Sequence, residues 1–303
     1  ASNNDIDLIE ENISYQEFQE LLDNYSFYQD DLVGDEVGIP LYFLGKKTKN
    51  SKIKVVQVGE GADELFYGYD HWNRYLKLNK FFKPFFKSTK KYSSFKNHRL
   101  NMLSNILFNR TSFAGGALGF NLKELDSLIE DGLPNHSDLI FYADNKWKDY
   151  FSNKNSKISK WMTLIDLKIR LPELLLMRMD KLVMQSAVEA RVPFLDHKLV
   201  EYVLSLPEEL LIDLTNTKSL LKKVALKYLP DQIINRKKQG FRAPIGEWIK
   251  KDEEKFYESV QQFNSLVNLF NERELNHILN GNDYQKKWYL INLSNWHLAR
   301  VAN

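Results

Sequence analysis

The stretch VVQVGEGADELFYGYDHW, residues 55–72, decides the fold class of this chain. Its valines are β-branched, and such side chains favour a pleated, buried environment. The segment IKVVQV at 53–58 therefore predicts a buried strand of an α/β sheet.

Two glycines follow this strand. Gly59 and Gly61 allow a sharp backbone turn, and a helix is expected to begin near Ala62. Glu60 and Asp63 then lie at the carboxyl end of the strand. Open α/β sheets bind their ligands at this edge, so both carboxylates are candidate site residues.

Composition excludes several classes of protein. The 303 residues carry 42 Lys plus Arg against 40 Asp plus Glu, so a nucleic-acid partner is not expected from net charge. The absence of cysteine excludes a disulfide framework, a thiolate zinc site and a thiol nucleophile on this chain. There is no apolar signal core and no run of about 18 apolar residues, so no transmembrane segment and a cytoplasmic location are expected.

The rest of the chain has mainly helical periodicity. Ser14 and Glu17 form a capping-box pattern, and a loop leads into a helix near 41–49. Further helices are predicted within 139–151, 160–184, 217–229 and 284–302. Because a strand must be paired to satisfy its backbone groups, either weak strands occur elsewhere or neighbouring strands lie outside this sequence.

Two further segments carry a family resemblance. RMDKLVMQSAVEARVPFLDHKLVEYVLSLP at 178–207 and KYLPDQIINRKKQGFRAPIGEWI at 227–249, with VGEGADELFYGY, resemble the synthetase half of asparagine synthetases and the related β-lactam-forming synthetases. The resemblance covers nearly the whole chain. It implies an α/β fold of the PP-loop ATP pyrophosphatase type, helix-rich here with few parallel strands. Residues 1–75 would end the ATP-binding portion, and 76–303 would form a mainly helical portion.

The resemblance also implies a chemistry. In this family ATP activates a carboxylate as acyl-AMP with release of pyrophosphate, and ammonia from glutamine then displaces AMP to form an amide. The family's Ser-Gly-Gly-x-Asp-Ser nucleotide loop and its glutaminase domain do not occur in these 303 residues. The chain is thus expected to be the carboxyl-terminal part of such an amidotransferase. On its own, this part is expected to bind ATP weakly, to be inactive and to self-associate through an exposed strand edge. The alternative is a non-catalytic helical fragment or interaction module.

Three positions take reactive roles by this resemblance. Glu60 would act as the base toward the attacking nitrogen, and Lys238 would contact the departing phosphates and the developing oxyanion. Asp63 would bind Mg²⁺, which needs few protein carboxylates because phosphate oxygens and water complete its coordination. Each acid also has a structural interpretation: Glu60 as a turn residue that caps the next helix, and Asp63 as a first-turn residue favoured by the helix dipole.

The remaining implied ATP contacts are Val58, Gly59, Gly61, Arg178 and Asp180. At Val58 the family often has serine, so only main-chain contacts remain there. Glu64 is interpreted as structural because an adjacent helical residue points about 100° away from Asp63. Glu189 and Arg191 are expected to be buried, paired charges that brace the domain.

The loop GDEVGIPLY at 34–42 departs from the family pattern. Bacterial asparagine synthetases resemble Gly-Asp-x-Ser-Ala-Ile-Pro there, whereas Val37 and Gly38 remove a hydroxyl close to the amino-acid substrate. Tyr67 also occupies a position where the family usually has glycine. Two carboxylate substrates therefore stay open, namely aspartate and a sugar acid of cell-surface polysaccharide synthesis.

The segment 71–123 contains many Lys and Arg residues and no acidic residue. A solvated basic face beside a polyphosphate site is one interpretation. Docking of an anionic substrate, a nucleic acid or a lipid is the other.

Overall fold

The computed structural model describes residues 7–29, 31–82, 119–133, 158–236 and 240–301. The helix predicted within 139–151, Lys238 and most of the basic segment lie outside the described residues. No helix within the described ranges is long and apolar enough to cross a membrane.

The described chain consists mainly of helices. They are α1 (Tyr15–Tyr25), α2 (Gly38–Asn50), α3 (Ala62–Leu65), α4 (Asp70–Phe82), α5 (Leu122–Leu128), α6 (Ile158–Ile165), α7 (Met177–Met184), α8 (His197–Ser205), α9 (Glu208–Leu211), α10 (Ser219–Ala225), α11 (Asp231–Ile234), α12 (Ile245–Lys251), α13 (Glu253–Val267), α14 (Glu272–Leu279) and α15 (Tyr284–Val301). The capping box predicted at Ser14 and Glu17 begins α1.

Two short strands, β1 (Val55–Gln57) and β2 (Glu189–Arg191), pair in parallel. Val55 lies opposite Glu189, and Gln57 lies opposite Arg191. The helix-rich α/β class expected from the sequence is confirmed, although the strand predicted at 53–58 is shorter than expected. The weak partner strand was missed because its three residues, Glu-Ala-Arg, give no apolar alternation.

The two faces of this sheet have different environments. Val56, Val58 and Ala190 pack against the larger hydrophobic core, whereas Val55 on the opposite face is 40% exposed. The expectation of a fully buried strand is therefore wrong for that face. Glu189 and Arg191 are also exposed there, and they pair with each other at 2.8 Å instead of bracing a buried interface.

Two hydrophobic cores surround the sheet and the turn that follows β1. The larger core joins α1, α2 and α7 to the carboxyl-terminal helices, with Phe18 stacked on Trp248 at 4.4 Å between ring centroids. The smaller core packs Leu65 and Trp72 from α3 and α4 against Met162 and neighbouring helices. The turn after β1 therefore connects Val58, which packs against the larger core, to Leu65 in the smaller core.

The helix predicted at 160–184 contains a π-helical segment, Asp166–Leu176, between α6 and α7. Pro172 lies inside it, and its missing N–H interrupts the regular α-helical hydrogen-bond ladder. Single π turns inside helices are frequent at functional sites. Arg170, in this segment, contacts Glu64 of α3, and Arg178, in α7, contacts Glu60 in the turn after β1.

Candidate functional site

The turn after β1 continues the parallel pairing before it bends. The Val58 N–H donates to the Arg191 carbonyl at 2.9 Å. Gly61 has φ of +92°, and a Cβ there would lie 2.4 Å from Leu195, so both the conformation and the space require glycine. A Cβ on Gly59 would meet nothing within 4 Å, so the backbone borders open space where a ligand can approach closely.

Glu60 lies beside a buried guanidinium. Its Oε1 is 3.6 Å from Nη2 of Arg178, and the other terminal nitrogen of Arg178 contacts Asp35. Arg178 is 7% exposed, and its Nε has no hydrogen-bond partner among the described residues. One buried cation therefore joins the loop after α1 to the turn after β1.

Burial raises the pKa of Glu60 above its usual range, and the nearby Glu64 and Asp63 carboxylates raise it further. Arg178 and Arg170 oppose this shift because they stabilise the charged form. The side chain of Glu60 remains 24% exposed. A partly exposed carboxylate with a raised pKa is suited to accept a proton from a neighbouring ligand.

Asp63 lies in the first turn of α3. Its Oδ2 is 3.1 Å from the Lys218 ammonium, and a Cβ on Gly68 would lie 1.9 Å from its Oδ1. No group of three or more acidic or histidine residues in the described ranges could hold a metal ion. A single carboxylate that is 24% exposed still fits Mg²⁺, because phosphate oxygens and water would supply the other ligands.

Glu64 points away from Asp63 into a buried polar network. It is 1% exposed, accepts a hydrogen bond from the Tyr69 hydroxyl at 2.5 Å, and lies 3.5 Å from Arg170. Arg170 also pairs with the fully buried Asp166 at 2.8 Å and lies over the Tyr69 ring at 4.7 Å. This network anchors α3 through the Glu64 side chain.

The network predicts a pH-dependent stability. Burial raises the pKa of Asp166 from its ordinary 3.8 to about 6, although Arg170 opposes the shift. The native protein therefore holds a proton that the unfolded chain releases, so this contribution is present below pH 3.8 and is lost as pH rises to about 6.

We expect urea midpoints measured across that window to decline more steeply for wild type than for Asp166→Asn. Equal slopes in the two proteins would contradict the assignment to Asp166.

The loop 34–38 meets the site through Asp35. The Val37 N–H donates to Asp35 Oδ1 at 2.6 Å, which leaves Oδ2 to contact Arg178. The Val37 side chain is 8% exposed and packs in the larger core. Burial raises the pKa of the neighbouring Glu36, and Arg242 and Arg178 oppose that shift.

Tyr67 adopts a conformation that explains why glycine suits its position. Its φ is +54°, in the left-handed region that glycine enters readily and other residues seldom do. The ring packs edge-on against Trp72 at 5.4 Å, and its hydroxyl accepts a hydrogen bond from Thr163. These contacts stabilise the tyrosine in a strained backbone conformation.

Comparison with known proteins is consistent with this geometry. The family model described as asparagine synthase matches residues 1–298. The chain belongs to the asparagine synthase family. It is 30% identical over 265 residues to asparagine synthetase [glutamine-hydrolyzing] 1 of Bacillus subtilis, covering 85% of this chain and 41% of that protein. It is 29% identical over 311 aligned residues to a putative asparagine synthetase of Mycobacterium bovis, covering 96% of this chain and 46% of that protein. The chain thus spans less than half the length of these relatives.

The structure brings most of the expected site residues of this family member together. The turn residues at 58–61 and Asp63 follow β1, and Arg178 contacts Glu60 from α7. Asp180 is different: its side chain is 68% exposed and pairs with Lys181 at 3.9 Å. Lys238 lies outside the described residues.

Sequence reasoning missed three partners of the site. The loop pattern at 34–42 indicated no role for Asp35, and Lys218 was not predicted because its contact with Asp63 depends on a left-handed backbone with φ of +55°. Arg170 could have been found from its i, i+4 spacing to Asp166 on a helix.

Proposed function

We propose that this chain is the carboxyl-terminal part of the synthetase domain of a glutamine-dependent amidotransferase. The domain activates a carboxylate as acyl-AMP, with release of pyrophosphate, and forms an amide with ammonia from a glutaminase domain. The observation that carries the proposal is the contact between Glu60 and the buried Arg178 at the carboxyl end of β1, 3.6 Å apart. This edge of an α/β sheet is where such folds bind ligands.

The proposed roles follow from this arrangement. Glu60 accepts a proton from the attacking nitrogen. Arg178 binds the negatively charged ligand beside Glu60, which is first the substrate carboxylate and then the acyl-adenylate. The open backbone at Gly59 and the turn to Gly61 contact ATP through main-chain groups, as does Val58. Asp180 is proposed as a nucleotide contact because it lies on α7, two residues after Arg178.

Two proposed groups complete the site. Asp63 would hold Mg²⁺, and the ion would neutralise phosphate charge when bound. Lys218 already neutralises Asp63 and would have to turn away from the carboxylate or share it with the ion. Lys238 would stabilise the leaving phosphates by resemblance to the family.

The loop beside Asp35 bears on which carboxylate is the substrate. The relatives named above are asparagine synthetases, whereas this chain has Glu36, Val37 and Gly38 in the loop beside Asp35. Loss of a hydroxyl contact removes a net hydrogen bond of about 0.5–1.5 kcal/mol. A uronic acid or another sugar carboxylate is therefore an alternative to aspartate as the substrate.

We expect aspartate to be a poor substrate. The test uses the protein together with the segment that carries its nucleotide loop, and measures pyrophosphate release with ATP, glutamine and either L-aspartate or D-glucuronate. The kcat/KM for aspartate should be about tenfold lower than for the preferred carboxylate. Efficient production of asparagine from aspartate would contradict this expectation.

The second candidate function is an interaction module without catalysis. It is favoured by the sheet face around Val55, which is 40% exposed, and by the short two-stranded sheet of the described chain. Such a surface favours association with another chain, including a second copy. Absence of pyrophosphate release with every carboxylate, in a protein that still binds Mg-ATP, would support this candidate.

A further inference from the structure

The hydroxyl of Tyr25 reaches the loop 34–38 from α1. A Cβ on Gly38 would lie 2.2 Å from Tyr25 Oη and 2.6 Å from Leu182, so glycine at this position makes room for the phenol. The loop residues themselves, Gly-Asp-Glu-Val-Gly, contain no hydroxyl. Tyr25 therefore places a hydroxyl beside a loop that has none of its own.

This hydroxyl is buried without a partner. Tyr25 is 1% exposed, and its Oη has no hydrogen-bond partner in the described part of the chain. A buried, unpaired hydroxyl destabilises the folded state, and phenylalanine would fill the same core position without that cost. The ring alone is accounted for by packing near Trp288, with 6.2 Å between ring centroids. The hydroxyl requires another explanation.

The charged neighbours of Tyr25 supply an explanation for the buried hydroxyl. Tyr25 Oη abuts Gly38, whose N–H donates to the Asp35 carbonyl at 3.4 Å, so the hydroxyl lies at the loop segment that carries Asp35. Burial and the Asp35 carboxylate raise the pKa of this hydroxyl, and Arg178 lowers it. Asp35 uses one oxygen for the Val37 N–H and the other for Arg178. Each carboxylate oxygen can accept a further hydrogen bond, so Asp35 has capacity for a donor that replaces Arg178.

We infer that Tyr25 is a positioning residue of the substrate loop, whose hydroxyl donates to Asp35 when Arg178 turns toward a bound carboxylate. The exchange keeps the Asp35 carboxylate hydrogen-bonded while its cation is shared with the ligand, so the loop keeps its conformation. This inference rests on the proposed function, because it takes a carboxylate as the ligand of Arg178.

A double-mutant cycle on the full-length protein tests the hydrogen bond without any turnover. In the wild-type background, Tyr25→Phe removes an unpaired hydroxyl and should raise Tm by about 2 °C. In the Arg178→Met background, Asp35 has lost its cation and the hydroxyl becomes its donor, so the same change should lower Tm by a similar amount. Equal shifts in the two backgrounds would overturn the inference.

Two further variants keep this cycle interpretable. Tyr28→Phe is the matched control, since Tyr28 stacks on Tyr42 with 5.3 Å between ring centroids, and its effect should be the same in both backgrounds. Where Arg178→Met fails to fold, Arg178→Gln replaces it, because its shorter, neutral amide also leaves Asp35 without a cation. The expected sign reversal for Tyr25→Phe is unchanged.

The second arm is kinetic and uses pyrophosphate release with whichever of L-aspartate or D-glucuronate the wild type activates. Tyr25→Phe should raise KM for that carboxylate about tenfold and leave KM for ATP unchanged, a split that general loss of packing would not produce. An unchanged KM for the carboxylate would overturn the inference. A wild type that releases no pyrophosphate would instead contradict the proposed function, and the thermal cycle would then decide the role of Tyr25 alone.

Discussion

Glu60→Gln is expected to reduce amide formation by about a hundred- to ten-thousand-fold in the protein that carries the nucleotide loop. The amide side chain is nearly isosteric with the carboxylate and keeps the turn between Gly59 and Gly61, but it cannot accept a proton from the attacking nitrogen. Binding of Mg-ATP should survive because the Glu60 side chain is not among its proposed contacts. The expected defect therefore lies in the chemical step and not in nucleotide affinity.

Two measurements separate these effects. Amide product is quantified with saturating ammonia, which makes the proposed glutaminase domain unnecessary, and Mg-ATP binding is followed by calorimetric titration. The matched control is Glu189→Gln, which makes the same chemical change on β2, where the side chain is 57% exposed and pairs with Arg191. The control should retain wild-type activity, whereas equal amide yields from Glu60→Gln and wild type would exclude Glu60 as the base.

The local features of the site were predictable because they depend on residues close together in sequence. Three valines, two glycines and the acids that follow them fix a strand, a turn and a helix start, and the structure has each of these in that order. The requirement for glycine at 61 has a local cause, a positive φ, and a nonlocal one, the Leu195 side chain. Only the first of these could be expected from the pattern.

The tertiary features were harder to predict. The partner strand Glu189–Arg191 is three residues long and half-exposed, so its pairing depends on the position of α7 and not on its own composition. The contact of Arg178 with Asp35 and Glu60 joins three segments distant in sequence. The π-helical segment before α7 shifts the register between Arg170 and Arg178, and no sequence period specified that shift.

The buried network beneath α3 shows how such tertiary contacts act on the site. Arg170 is the cation shared by Glu64 and Asp166, which are 1% and 0% exposed, and without it an ionised carboxylate in this network would be a buried charge with no cation beside it. Glu64 lies in the same short helix as Asp63 and one turn after Glu60. Loss of Arg170 would therefore destabilise the helix that positions the proposed metal ligand.

Arg170→Met is expected to lower the free energy of unfolding by about 3–5 kcal/mol, because removal of one partner leaves buried charge uncompensated. Methionine fills much of the space of the arginine stem, so the decrease in the free energy of unfolding is due mainly to the missing charge. Arg191→Met is the matched control: Arg191 is 61% exposed and pairs with Glu189 at 2.8 Å, a surface ion pair worth about 0–1 kcal/mol. Urea denaturation of the two variants, compared at equal m-values, measures the difference. Similar losses in both would mean that Arg170 holds α3 by packing instead of charge.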